Sequence, residues 1–147
     1  MTLCIDLSAK RGLVVGVANE HSIAYGCARA LREAGAKLAA TYLNSKAEPF
    51  VRPLAEALQA DIIAPCDVSV AGQLEAIFEQ MKNMWGGLDF VLHSIAFAPR
   101  NDLHARVVDC SAAGLGGADR MLPMGRRACP RLNGGSYCGI DAGVEVR

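Results

Sequence analysis

Residues 12–31 read GLVVGVANEHSIAYGCARAL, and the rest of the chain can be read outward from them. Gly12–Val17 has the apolar, β-branched make-up of a strand. Gly16 lies near its end, where a backbone without Cβ can turn tightly and sit close to a ligand. A polar loop follows, then Ser22, a favourable N-cap. The helix Ser22–Ala34 comes next, with Ile23, Cys27, Ala30 and Leu31 on one face and Gly35 as its stop. The start of such a helix offers unpaired N–H groups and a partial positive charge, which suits a pyrophosphate. The spacing departs from the usual G-x-G-x-x-G, because Gly16 and Gly26 enclose five residues, Ser22 and three more. Taken alone, the stretch is either a phosphate-binding turn or an ordinary strand-to-helix turn with a capped helix.

The following residues repeat the alternation. Lys37–Leu43 reads as a second strand and Ala47–Leu58 as a second helix, with Pro49 tolerated in its first turn. Asp61–Ala64 is a short third strand. Val70–Trp85 is a third helix, with Leu74, Ile77, Phe78 and Met81 at helical spacing, and Gly86-Gly87 breaks it. Leu88–His93 is a fourth strand, followed by the loop SIAFAPRND. Strands separated by single helices predict a parallel sheet. Right-handed crossovers to both faces predict the strand order 3-2-1-4. The fold class expected is α/β, a doubly wound parallel sheet (Rossmann-like) truncated to about its first four strands. Such sheets bind ligands at the carboxyl ends of their strands, where the order reverses. The Gly16 loop and the His93–Ala98 loop both fall at that point, between strands 1 and 4, which favours a dinucleotide site.

Composition narrows the function classes. The 147 residues are 52% hydrophobic, enough for one domain with a core. Fifteen basic residues balance fifteen acidic ones, so no basic patch argues for nucleic acid. The N-terminus, MTLCIDLSAKRG, lacks the basic flank and apolar run of a signal peptide. No apolar run approaches the roughly 18 residues of a membrane span. A cytoplasmic location, without nucleic-acid or membrane partners, is the expectation. Cys4, Cys27, Cys66, Cys110, Cys129 and Cys138 form no C-x-x-C and match no zinc spacing. They read as free thiols, with Cys27 in the core.

Four segments, GVANEHSIAYG, TYLNSKAEPFVRPLAEAL, APCDVS and LDFVLHSIAFAP, together resemble the enoyl-[acyl-carrier-protein] reductases of type II fatty acid synthesis. These are divergent members of the short-chain dehydrogenase/reductase superfamily. The resemblance is continuous from about Lys10 to Gly114. It implies an NADH-dependent oxidoreductase of fatty acid biosynthesis that reduces the double bond of an enoyl thioester on acyl carrier protein, and a homotetramer. It also implies roles for matching positions. Gly16 would turn under the pyrophosphate, and Ser22 and Ile23 would meet the phosphates. Asp67 and Val68 would hold the adenine, a carboxylate accepting from the exocyclic amine and a backbone N–H donating to a ring nitrogen. Ser94, Ile95 and Ala96 would run beside the nicotinamide ribose, and Ala98 would touch the acyl substrate. His93 is expected to be structural. Leu43 departs from the family, which often has glutamine there. No Asp or Glu ends strand 2 to read a ribose 2′-OH, and Lys46 stands nearby, so NAD over NADP is implied by the resemblance alone.

The catalytic half of the family pattern is not in these residues. Family members use a tyrosine hydroxyl to stabilise the thioester oxygen and a lysine, spaced Tyr-x6-Lys, to hold the nicotinamide ribose. Loss of one such oxyanion donor costs about 10²–10³ in rate. The last lysine is Lys82, and Val144 stands where Tyr137 would need its lysine, so no catalytic residue is assigned. Residues 115–147 hold seven glycines, five arginines and no lysine, and their periodicity fades. The expected division is 1–114 as the N-terminal part of a reductase domain and 115–147 as an unrelated, disordered tail from a shifted frame. With the far strands and the tetramer helices missing, an exposed edge at strand 4 is expected. Three outcomes fit: an enoyl reductase by descent, a non-catalytic NAD(H)-binding half-domain, or a non-functional truncated product.

Overall fold

The structure, a computed structural model, describes residues 5–95. Ala96, Ala98, Tyr137 and the division at Gly114 lie outside the described residues. The elements run β1 (Arg11–Val15), α1 (Ile23–Glu33), β2 (Lys37–Tyr42), α2 (Glu48–Ala57), β3 (Ile62–Pro65), α3 (Gln73–Trp85) and β4 (Phe90–His93). All strand pairs are parallel, and the order is β3-β2-β1-β4. The expected topology is therefore present, with the order reversing between β1 and β4.

Strand alternation sorts the core into two layers. Leu13, Val15, Ala39, Ile62 and Val91 pack with Leu74, Ile77, Phe78 and Met81 of α3. Val14, Leu38, Tyr42 and Leu92 pack with Ala24 and Ala28 of α1 and Val51 of α2 on the other face. Both faces of the sheet are covered, so its strands read as nearly continuous apolar runs. Burying a leucine or valine in such a layer contributes roughly 1.5–3 kcal/mol.

The elements differ from the sequence reading in instructive ways. β1 stops at Val15, two residues short of the expectation, because Gly16 takes φ +108° and leaves the strand path. Val17 is still buried, but by packing against the α1 layer. The inward face of α1 is Ala24 and Ala28, with Cys27 and Leu31 partly covered, while Ile23 and Ala30 face out. Alanine lets the helix lie closer to the sheet than the larger Ile23 would. α3 begins at Gln73 and not at Val70, because Asp67 and Ser69 fold residues 67–72 into turns first. α2 accepts Pro53 within its length. Asn44 starts it: its Oδ1 accepts from the N–H groups of Lys46 and Ala47 at 3.0 and 3.1 Å. At β4 the side chains of Val91, Leu92 and His93 are buried, and among the described residues β4 is the last strand of the sheet.

No helix of the described residues is long and apolar enough to cross a membrane. Among the described residues, Cys27 and Cys66 are free thiols, and no group of His, Cys, Asp or Glu is arranged to hold a metal ion.

Candidate functional site

The carboxyl ends of β1, β2 and β3 lead into short loops, and the reversal of strand order brings the first of them against the residues that follow β4. β1 ends at Val15 and β4 at His93, which are register partners. The ladder runs one bond further, Ser94 N–H donating to Val15 O at 2.9 Å. Gly16 follows Val15 directly. A Cβ built on Gly16 would stand 2.2 Å from the Ser94 carbonyl oxygen and 3.2 Å from Ile95 Cγ1. Gly16 is thus required twice, by its positive φ and by the backbone of the neighbouring loop. The two loops expected to converge are in contact.

The loop from Gly16 into α1 is shaped by Asn19. Its Oδ1 accepts from His21 N–H at 2.9 Å, a local Asx turn. Its carbonyl accepts from the Ser22 N–H at 3.2 Å and the Ser22 hydroxyl at 2.7 Å. Ser22 sits in an extended conformation and caps α1, its Oγ accepting from Tyr25 N–H at 3.4 Å. The N–H groups of Ile23 and Ala24 meet no acceptor among the described residues. They form an open donor pair at a helix start, suited to an anion. Ile23 keeps its side chain 61% exposed, so what it offers the crevice is backbone. Gly26, the far end of the motif, faces open space.

Beyond β3, Cys66 N–H donates to Tyr42 O at 2.8 Å and fixes where the next turn begins. Asp67 Oδ1 accepts from the N–H of Ser69 at 2.9 Å and from its hydroxyl. These bonds from the Ser69 hydroxyl and N–H hold the Asp67 carboxyl below its ordinary range, so it is an acceptor at neutral pH. Its second oxygen has no partner among the described residues. The Asp67 N–H is taken by Gln73 Oε1 at 2.7 Å. Val68 turns its side chain into the core beside α3, so only its backbone is left to meet a ligand. Cys66, next to them, is buried, and that burial, with Asp67 and Glu75 nearby, pushes its thiol up to about 11. It is no nucleophile.

At the end of β2, Leu43 is 54% exposed and Lys46 is also exposed. Residues Leu43–Lys46, which follow β2, include no Asp or Glu.

Three residues that shape these loops escaped the sequence reading. Asn19, Asn44 and Gln73 hold the loops that present the candidate site. Asn19 and Asn44 could have been found from the Asx-turn pattern, an asparagine four residues before a helix start. Gln73 gave no such signal, because its bond to Asp67 spans six residues around a turn.

Residues 16–118 match the family model for enoyl-(acyl carrier protein) reductase. The chain belongs to that family. It is 44% identical over 103 residues to enoyl-[acyl-carrier-protein] reductase [NADH] 2 of Rhizobium meliloti, covering 70% of this chain and 38% of that protein. It is 46% identical over 110 residues to the Bacillus cereus enoyl-[acyl-carrier-protein] reductase [NADH], covering 74% of this chain and 43% of that protein. The structure superposes on an enoyl-(acyl-carrier-protein) reductase from Anaplasma phagocytophilum, crystallised with NAD, with a TM-score of 0.83 at 35% identity. That match covers 95% of this chain and 55% of the solved one. The chain therefore spans roughly two fifths of the length of the curated relatives it matches.

Proposed function

We propose that this chain supplies the NAD(H)-binding part of an NADH-dependent enoyl-[acyl-carrier-protein] reductase. We further propose that a polypeptide of these 147 residues binds the dinucleotide without reducing an enoyl thioester. The contact of Gly16 with Ser94 carries the reading, since it makes one crevice of two loops at the reversal of strand order.

The residues present fit such a cofactor. Gly16 leaves a cradle that a Cβ would fill. The open N–H groups of Ile23 and Ala24, with Ser22 at the cap, would hold the pyrophosphate. The free oxygen of Asp67 would accept from the exocyclic amine of adenine, and the Val68 N–H would donate to a ring nitrogen. Ser94 and Ile95 would run beside the nicotinamide ribose; the roles expected of Ala96, beside that ribose, and of Ala98, at the acyl chain, fall outside the described residues. When bound, NADH supplies the hydride for the enoyl double bond. The acceptor is an acyl-carrier-protein thioester, in the cytoplasm, and the complete enzyme is a homotetramer. NADH is preferred over NADPH, as the names of the relatives suggest; the end of β2, with no acidic residue at Leu43–Lys46, supplies no carboxylate for a ribose 2′-OH.

Turnover is not expected of the 147 residues because no tyrosine in them is followed at the Tyr-x6-Lys spacing by a lysine. The residues after Gly114 are assigned to a shifted reading frame, and sequencing the gene across codon 114 tests this. Failure to find a Tyr-x6-Lys segment in another frame overturns it. The functional test is nicotinamide fluorescence titration followed by an NADH-oxidation assay on a crotonyl thioester. Saturable binding without oxidation is the expected result. Oxidation above background overturns the proposed lack of turnover, and no binding leaves a non-functional product.

A further inference from the structure

One buried polar atom has no role in the site as described. His93 is 4% exposed at the end of β4, and its Nε2 meets no hydrogen-bond partner among the described residues. Alternation along β4 puts it on the same face as Val91, the α3 face of the sheet, beside its register partner Val15. Leucine or valine would fill such a place without cost, whereas an unpaired ring nitrogen there is penalised. The residue it precedes is Ser94, whose carbonyl rests against Gly16. Burial pulls the imidazole below its ordinary 6.5, against a hydrogen bond to its own backbone that acts the other way. A neutral ring whose Nδ1–H faces its own backbone carries a bare lone pair at Nε2.

We infer that His93 is a positioning residue of the crevice: its Nε2 accepts a hydrogen bond from a neutral donor and so fixes the strand end that sets Ser94 and Ile95 against Gly16. The inference rests on the dinucleotide reading above for its functional consequence, not for the hydrogen bond itself. The donor is an O–H or N–H. It comes from an internal water, from a group of the chain beyond the described residues, or from a group of the bound dinucleotide.

Long-range ¹H–¹⁵N spectra of the labelled full chain, with and without NADH, test it, using His93→Asn to assign the signal. The expected result is the Nδ1–H tautomer with a hydrogen-bonded Nε2. If that shift is present without NADH, the donor is an internal water or another group of the chain; if it emerges only on adding NADH, the dinucleotide is. A protonated Nε2, or one with the shift of a free lone pair in both states, overturns the inference. In parallel, His93→Leu is expected to weaken NADH binding about tenfold and His93→Asn, which keeps a polar acceptor, to retain most of it. Equal affinity of His93→Leu and the unaltered chain also overturns it. If the unaltered chain binds no NADH at all, the dinucleotide reading fails by itself, and the NADH-free spectrum still decides the hydrogen bond.

Discussion

At the amino edge of the sheet the polar groups satisfy one another; at the carboxyl edge they are left half-used. Arg11 and Asp89 tie the starts of β1 and β4: the Arg11 N–H and Nε donate to Asp89 Oδ2 at 2.9 and 3.1 Å. Lys10 approaches the other oxygen at 3.6 Å. Arg11 also donates to the Trp85 carbonyl, and the Trp85 indole donates to Asp61 at 3.0 Å. The end of α3 is thereby locked to the starts of β1 and β3. Opposite, two helix N–H groups, one oxygen of Asp67 and one nitrogen of His93 lack partners among the described residues. Apolar Ile23, Leu43 and Val70 stand exposed there. One edge holds the sheet together, and the other is arranged for something that is not part of it.

If that contrast is right, damage should separate into stability at one edge and binding at the other. The position that joins both is Gly16. Gly16→Val should abolish NADH binding and lower the unfolding free energy by about 3 kcal/mol, from a forbidden φ and a backbone clash. Fluorescence titration and the urea midpoint measure the two losses; an unchanged midpoint would break the link between the loops.

Next in size is the amino edge. Asp89→Ala should cost about 2 kcal/mol of stability, because it leaves Arg11 without its part-buried partner. NADH affinity corrected for the folded fraction should not move. The pH dependence follows from the same groups. Burial alone would raise the Asp89 carboxyl, but bonds from Arg11 and the charge of Lys10 hold it below 3.8. Its folded value being depressed, this contribution is complete well above 3.8 and disappears as pH falls through the lowered value. His93 acts at higher pH. Its depressed folded value means that the unfolded chain takes up a proton first, so stability declines as pH drops below 6.5. Thermal melts from pH 8 to 3 should show both declines, the upper one absent in His93→Asn and the lower one absent in Asp89→Ala.

At the carboxyl edge, Asp67→Asn should weaken NADH about tenfold, since an amide cannot replace an ionised acceptor. Its melting temperature should stay close to that of the unaltered chain. Equal affinity would remove Asp67 from the site. The smallest change expected is Gly26→Ala. A Cβ there meets nothing within 4 Å, so the substitution should add about 0.8 kcal/mol through helix propensity alone. A loss of stability would mean that Gly26 packs against a part of the protein beyond the described residues.

Much of this was legible in the residues themselves. The alternation of apolar runs with helical periods implied a parallel sheet, and right-handed crossovers left one economical strand order. Gly16 and Ser22 could be placed because a turn and a cap demand particular residue types. The inward face of α1 could not. Several faces of Ile23–Glu33 are apolar enough, and only contact with the sheet selects Ala24 and Ala28. The start of α3 was hidden too, because the Asp67–Ser69 turn takes the backbone before the helix can.

The chain by itself determined a family, a strand order and the residue types at two loops, since those follow from local preferences and handedness. Only the tertiary structure decided that Gly16 has no space for a side chain, because that limit is imposed by Ser94, about eighty residues along the chain. It also decided that His93 is buried with one nitrogen unpaired. Burial depends on what the other elements place around a residue, and no local pattern encodes it.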